Sequence, residues 1–344
     1  MDVIVVGGGI AGASIAYELA AHREVLLIEA DSTPGSQTTG RSAATWIDSY
    51  GPPAVRTLSE ASLDWFLNPP IETDGDLARP MGCLWLGAEG HEQHLRDLTK
   101  TTGVSLIGAA EITELNPLLR PGLFDEAAYD ERALDLDVAG LHHSYLRAFK
   151  ARGGVVNTRS ALLEATRING IWRVRTANGD LSAPLLVNAA GAWGDHVATA
   201  CGVQPVGLEP RRRSIFQSVP KEPVPHFPFT ITVDETFYLK PEGDGVLCSP
   251  VDADLQEPGD PKPNDLEIAR AIDAINDATT LNLRSVRTAW AGQRTFAPGG
   301  DPIARFDDTA EGFFWFVGQG GWGIQIAPAH AIAAAARIES ARLP

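Results

Sequence analysis

The chain has 344 residues, 44% of them hydrophobic, and a net charge of −16 from 28 basic and 44 acidic side chains. This composition excludes a disordered chain, supports one large core or two, and disfavours nucleic acid and anionic membrane surfaces as partners. No stretch approaches the roughly 20 apolar residues of a membrane span, and the apolar N-terminus encloses a glycine turn instead of a secretion signal, so a cytoplasmic protein is expected.

Val3–Val6 is an apolar run leading into Gly7-x-Gly9-x-x-Gly12. A helical stretch to about His22 follows, then a second apolar run, Val25–Ile28, ending in Glu29 and Ala30. This is a βαβ unit. Gly7 permits the tight turn, Gly9 lets backbone approach a pyrophosphate, and Gly12 lets helix and strand pack closely. The N–H groups that open the helix, around Ile10 and Ala11, favour an anion there. Glu29 lies 17 residues after Gly12, the place of a carboxylate that holds an adenosine ribose and repels a 2′-phosphate. A glycine-rich turn can be a purely structural corner, but strand, helix, second strand and acid are all in place, so a dinucleotide other than NADP is predicted.

Asp31–Gly35 is a polar loop, and the hydroxyl-rich run with Thr39, Gly40, Arg41 and Ser42 follows. It could be a linker, yet it lies at the carboxyl end of a strand, where open α/β sheets bind ligands. Helices are predicted over Val55–Phe66, His91–Thr101 and Asp137–Arg152, and a strand over Arg79–Leu86. Residues 107–132 carry no clear pattern. Val155-Val156 and three further short strands up to Ala183 follow, with turns at Asn169-Gly170 and Asn178-Gly179-Asp180. Leu185–Asn188 then runs into small residues and a second glycine turn containing Ala190, Gly191 and Trp193. That corner is either structural or a second approach to the cofactor.

Strands are predicted over 210–219, 229–233, 236–240 and 245–249, a polar loop over Pro250–Pro263, a helix over Asp265–Ala278 and a strand region over 281–293. Phe313–Val317 is the last apolar strand. A glycine turn, Gly318–Gly323, precedes a closing helix, Ile324–Ile338, with Pro328 expected in its first turn. Cys83, Cys201 and Cys248 have no paired spacing, so buried reduced thiols are expected and no metal site. The fold class expected is α/β (α+β): a Rossmann-type domain from 1–50, 136–205 and 289–344, interleaved with a substrate domain from 51–135 and 206–288 built on an antiparallel sheet.

Taken together, Val5–Gly12, Thr39–Ala44, Tyr50-Gly51, Asn188–Trp193, Pro210–Ser214, Asp234–Lys240, Trp290–Arg294 and Glu311–Gln325 resemble the flavoenzymes of the D-amino acid oxidase and glycine oxidase superfamily. Within it the chain is most similar to bacterial D-arginine dehydrogenase-like D-amino acid dehydrogenases. The resemblance spans nearly the whole chain. It implies non-covalent FAD, held by the motifs above together with Val156, Gly320, Gly321, Gly323 and Ile324. It also implies that Arg213 and Arg294 contact a substrate carboxylate, with Tyr50, Tyr238 and Gly321 alongside. A guanidinium fork suits a carboxylate. From the residues alone, Arg211–Arg213 could equally be a solvated basic face, Arg294 a structural ion pair and Tyr238 ordinary core.

The sequence departs from the arginine enzymes at Thr45, where they carry histidine, at Met81, where they carry glutamate, and at Trp322, where tyrosine is usual. A buried guanidinium without a carboxylate is costly, so a pocket of Thr45, Trp46, Met81, Phe229 and Trp322 is expected to take an apolar or aromatic side chain. The expected reaction is oxidation of the Cα–N bond of a D-amino acid by hydride transfer to flavin N5, giving an imino acid that hydrolyses to a 2-oxo acid. The alternative is oxidation of a secondary or cyclic amine, such as an N-methyl or proline-like amino acid. A flavin-binding protein without amine chemistry is the reading of another class. Val246, in the slot where sarcosine-oxidase relatives carry a lysine, leans towards a dehydrogenase. The electron acceptor is left open, and a monomer or homodimer is expected.

Overall fold

The computed structural model describes residues 1–87 and 90–341. Residues 342–344, which the domain expectation includes, lie outside the described residues. The first sheet has six strands in the order Ile303–Phe306, Phe313–Val317, Leu185–Asn188, Val3–Val6, Val25–Ile28 and Val155–Asn157. All neighbours are parallel except Ile303–Phe306, which runs antiparallel to Phe313–Val317.

Its central strands read as unbroken apolar runs because both faces are covered. Val3 and Val5 pack under the helices Ile10–Leu19, Val138–Ala151 and Gly323–Ser340. Ile4 and Val6 face a three-stranded antiparallel sheet, Leu162–Ile168, Ile171–Thr176 and Gly179–Ala183, together with the helix Gly194–Ala200. Asn169 and Gly170 both have positive φ, 49° and 80°, as the predicted two-residue hairpin turn requires. Asp137 opens the Val138–Ala151 helix by accepting the Gly140 N–H.

The second sheet has nine strands in the order Gln319–Gly320, Thr288–Phe296, Glu209–Ser218, Gly245–Ser249, Tyr238–Glu242, Phe229–Thr232, Cys83–Leu86, Glu126–Asp130 and Val104–Gly108. Side chains alternate across it. Phe216, Leu239, Val246 and Cys248 pack against the helix Asp265–Ala278, while Ile215, Tyr238, Leu247, Phe229 and Trp85 occupy the other face.

Three expectations need revision. Arg79–Leu86 is two strands, Ala78–Pro80 and Cys83–Leu86, broken where Gly82 takes φ +72°. Thr288–Phe296, placed by sequence with the cofactor segments, pairs in the second sheet. Pro328 is not in the first turn of its helix, which begins at Gly323. It is the sixth residue, so its missing N–H leaves the Ile324 carbonyl without the usual partner. Among the described residues, no helix is long and apolar enough to cross a membrane.

Candidate active site

A cavity of about 340 Å3 lies at the carboxyl ends of the first sheet's strands. The sheet order reverses there, since Val3–Val6 has Val25–Ile28 on one side and Leu185–Asn188 on the other, and such a switch point leaves a crevice. Gly7 has φ +105°, and a Cβ on Gly12 would stand 1.7 Å from the Gly7 carbonyl oxygen, so the helix can sit this close to the strand only with glycine at both. Glu29 accepts the Gly8 N–H at 2.6 Å and the Asp31 N–H at 2.8 Å. Burial raises its carboxyl above the usual value, and those N–H groups oppose the rise. Thr39 Oγ1 accepts the Ile10 N–H at 2.9 Å.

Most residues expected at the cofactor line this cavity: Gly7, Gly9, Ile10 and Ala11 at the first turn, Glu29 and Ala30 after the second strand, and Thr39, Arg41 and Ser42 beyond it. Ala190, Gly191 and Trp193 line it from the second corner, and Gly320, Gly321, Gly323 and Ile324 from the far end. Gly12, Gly40 and Val156 do not. Gly12 is packed beneath Gly7, Gly40 is held against the Gly35 carbonyl, and Val156 lies in a strand packed on the core. The Arg41 guanidinium is already committed, at 2.6 Å, to Asp260 in the polar loop. Unforeseen lining residues include Gln37, Ser160, His196 and Gln293. Gln37 and Ser160 come from loops, His196 from the helix Gly194–Ala200 and Gln293 from the strand Thr288–Phe296, and polarity was their only sequence signal.

At its far end the large cavity meets a smaller one of about 40 Å3, and Arg213, Tyr238, Arg294, Gly321 and Ile324 line both. Arg213 and Arg294 belong to the neighbouring antiparallel strands Glu209–Ser218 and Thr288–Phe296. Arg211 and Arg212 are ion-paired with Glu209, Asp252 and Asp254. Arg213 is buried, and its Nε donates to the Asp252 carbonyl at 2.9 Å. Burial and the Arg294 charge push its pKa down to about 10. At Arg294 burial works against the charge, but Tyr50 and Tyr238 outweigh it and hold the guanidinium above its usual value. The Tyr50 hydroxyl accepts from Arg294 Nη1 at 3.4 Å and reaches the Glu235 carboxylate at 3.4 Å. Among the described residues neither guanidinium forms an ion pair, and the buried Tyr238 hydroxyl has no partner.

Of the residues named for the substrate, Thr45, Tyr50 and Phe229 line the smaller cavity, while Trp46, Met81 and Trp322 do not. In the strand Thr45–Trp46 consecutive side chains point to opposite sides. Thr45 and Ile47 reach the cavity, while Trp46 is buried in the core with its indole N–H on the Ser59 carbonyl at 2.8 Å. Met81 packs behind Phe229 in the core, and Trp322 packs on Val55 and Ile326, with its ring 5.9 Å from Tyr50. Trp85 and Ile231, not foreseen, take their place. Val246 lies under the Asp265–Ala278 helix, on the face of the sheet away from the cavity, so the argument drawn from it does not stand. Among the described residues no carboxylate lines the smaller cavity.

The sequence model of a family described as FAD dependent oxidoreductase (DAO) matches residues 2–337. Human mitochondrial dimethylglycine dehydrogenase is 23% identical over 267 residues, which is 73% of this chain and 30% of that protein. The chain thus spans about a third of the length of the first curated relatives it matches. The fold is similar to that of L-proline dehydrogenase from P. horikoshii, with TM-score 0.86 and 20% identity, covering 100% of this chain and 95% of the other. It is also similar to glycine oxidase from Geobacillus kaustophilus, with TM-score 0.82 and 18% identity, covering 100% and 96%.

Proposed function

Because the chain belongs to the FAD dependent oxidoreductase family, a group of flavoenzymes acting on amino acids or amines, we propose that it oxidises the Cα–N bond of a compact amino acid. The observation that carries this reading is the pair Arg213 and Arg294, two guanidiniums without an acid partner on the shared wall of the two cavities. A buried cation without a counter-charge is costly, and a substrate carboxylate removes that cost.

The large cavity fits non-covalent FAD. The Gly7–Gly12 turn leaves room for backbone to meet a pyrophosphate, Glu29 stands at the ribose end, and the N-terminus of the Gly323–Ser340 helix closes the other. Bound FAD supplies the acceptor for a hydride leaving the substrate Cα. Arg213, Arg294, Tyr50 and Tyr238 fix the carboxylate, and so fix which face of Cα is presented. The two guanidinium charges also disfavour an ammonium beside them, so the amine enters the reaction neutral without a carboxylate base in the cavity wall. The imino product is released and hydrolyses in water.

Two substrate classes suit this wall. One is a D-amino acid with a compact side chain, as the resemblance to the D-arginine-type dehydrogenases suggests, though among the described residues no acid lines the cavity for an arginine side chain. The other is a secondary or cyclic amino acid, and the cavity's size, about 40 Å3, favours it over an aromatic side chain. Anaerobic bleaching of the flavin by a panel of D-, L-, N-methyl and cyclic amino acids tests the proposal, with dye and oxygen then compared as acceptors. If no member bleaches the flavin, the proposal fails.

A further inference from the structure

Trp85 lies on the central strand Cys83–Leu86, between Ile231 on one neighbour and Ala128 on the other. Alternation sends Leu84 and Leu86 to the opposite core and Trp85 to the cavity wall, with the Tyr50 ring 5.7 Å away. The side chain is 3% exposed, and its indole N–H has no partner. Elsewhere the chain satisfies such groups: Trp46, Trp172, Trp290 and Trp315 all donate to carbonyl or carboxylate oxygens. Trp65 and Trp322 are also unpaired, but neither lines a cavity. Trp193 lines the large cavity but is only half-buried; Trp85 is therefore the fully buried, unpaired indole whose residue lines ligand space among the described residues.

The wall has little to offer it. Gln325 is committed to Ile47 and Ser59, and Ser42 accepts the Ala44 N–H. The remaining side-chain groups are the Thr45 hydroxyl, which does not accept from the Trp85 indole, and those of Arg213, Arg294 and the tyrosines, which are mainly donors. Two guanidinium forks suffice for one carboxylate. The indole N–H is then left over, and a buried donor left unpaired is penalised.

We infer that Trp85 is a specificity-determining residue whose indole N–H binds an oxygen acceptor on the substrate's side chain or ring. The inference rests on the proposed amine oxidation and deepens it: the preferred substrate carries a second oxygen-bearing group, a hydroxyl or carbonyl, beyond its α-carboxylate. An apolar substituent of the same size leaves the donor unpaired and is the poorer substrate.

The test compares D-serine with D-alanine, and 4-hydroxyproline with proline, on wild-type holoenzyme and on Trp85→Phe, by anaerobic flavin reduction. The wild type is expected to favour the oxygen-bearing member of the pair it accepts by about tenfold or more in kcat/KM, and Trp85→Phe to abolish that preference. A second readout needs no turnover. In reduced holoenzyme with the indole nitrogens 15N-labelled, the resonance missing from Trp85→Phe is expected to move on adding the oxygen-bearing member and not its partner. Equal rates for both members in the wild type, a preference that survives in Trp85→Phe, or a Trp85 resonance that does not move with the oxygen-bearing member overturns the inference alone. If the wild type reduces its flavin with no member of this panel or of the wider one, the amine-oxidation reading falls, and this inference with it. If Trp85→Phe does not fold, Trp85→Met, which also lacks the N–H donor, takes its place in both readouts.

Discussion

Gly321 carries no side chain because Arg294 occupies the space: a Cβ on Gly321 would stand 2.8 Å from the Arg294 guanidinium carbon. The contact is with the far end of a flexible side chain, so Gly321→Ala is expected to displace the guanidinium and leave the backbone in place. KM should rise about tenfold with the flavin spectrum unchanged, because one charge-assisted fork is moved off the carboxylate. Steady-state kinetics with an absorbance spectrum of the purified variant checks this, and an unchanged KM would remove Arg294 from the carboxylate site.

Arg294→Lys keeps the charge and loses the fork. Since lysine acts as a point charge where arginine binds two oxygens, substrate-driven flavin bleaching should slow by roughly 30-fold or more, the range for truncating one partner of a buried charged contact. Stopped-flow reduction measures it. Bleaching at the wild-type rate would mean that the carboxylate is held elsewhere.

Glu29 accepts two backbone N–H groups at once, from Gly8 and Asp31. In Glu29→Gln one of those donors must face an amide NH2. The turn should loosen and FAD be held about tenfold more weakly, in line with the loss of one hydrogen bond to a charged group. Flavin fluorescence released on dilution reports this directly.

Asp48 follows Ile47, which lines the smaller cavity, and is buried beside Asp130, with Arg132 Nη1 3.1 Å from its Oδ2. Its other oxygen has no partner. Burial first, then the Asp130 charge, pushes its carboxyl up to about 7. The unfolded value is about 3.9, so the folded protein keeps this proton between about pH 4 and 7 while the unfolded chain has lost it. Stability from this group therefore falls as pH rises through that window and is flat above it. Asp48→Asn cannot ionise, so between pH 5 and 8 its Tm should gain on the wild type by roughly 1–2 °C for each kcal/mol recovered. Parallel thermal melts of both holoproteins test the sign.

The cofactor end was legible in the sequence because its determinants are local. Gly7, Gly9, Gly12 and Glu29 act within one βαβ unit, where strand, turn and helix follow from adjacent residues. The substrate end was only partly legible. Arg213, Arg294, Tyr50 and Tyr238 were named from their motifs, and the structure brings them to one wall. Which neighbours complete that wall was not readable, because it depends on facing. The strand Thr45–Trp46 has two residues, too few for alternation to show which one turns inward, and Trp46 proved to be core. Val246 was one position from the cavity face and therefore on the wrong one.

The sequence by itself thus determined the dinucleotide fold and most of the segments that line its cavity; that Arg213 and Arg294 form no ion pair among the described residues came from the structure. Tertiary structure decided the shape and chemistry of the smaller cavity. The parallel pairing of Cys83–Leu86 with Phe229–Thr232 joins residues about 150 positions apart, and it sets Trp85 and Ile231 where Trp46, Met81 and Trp322 had been expected. A one-residue shift in that register would reverse every side chain on the strand, which is why composition and motif could place the strand but not the face it offers to a ligand.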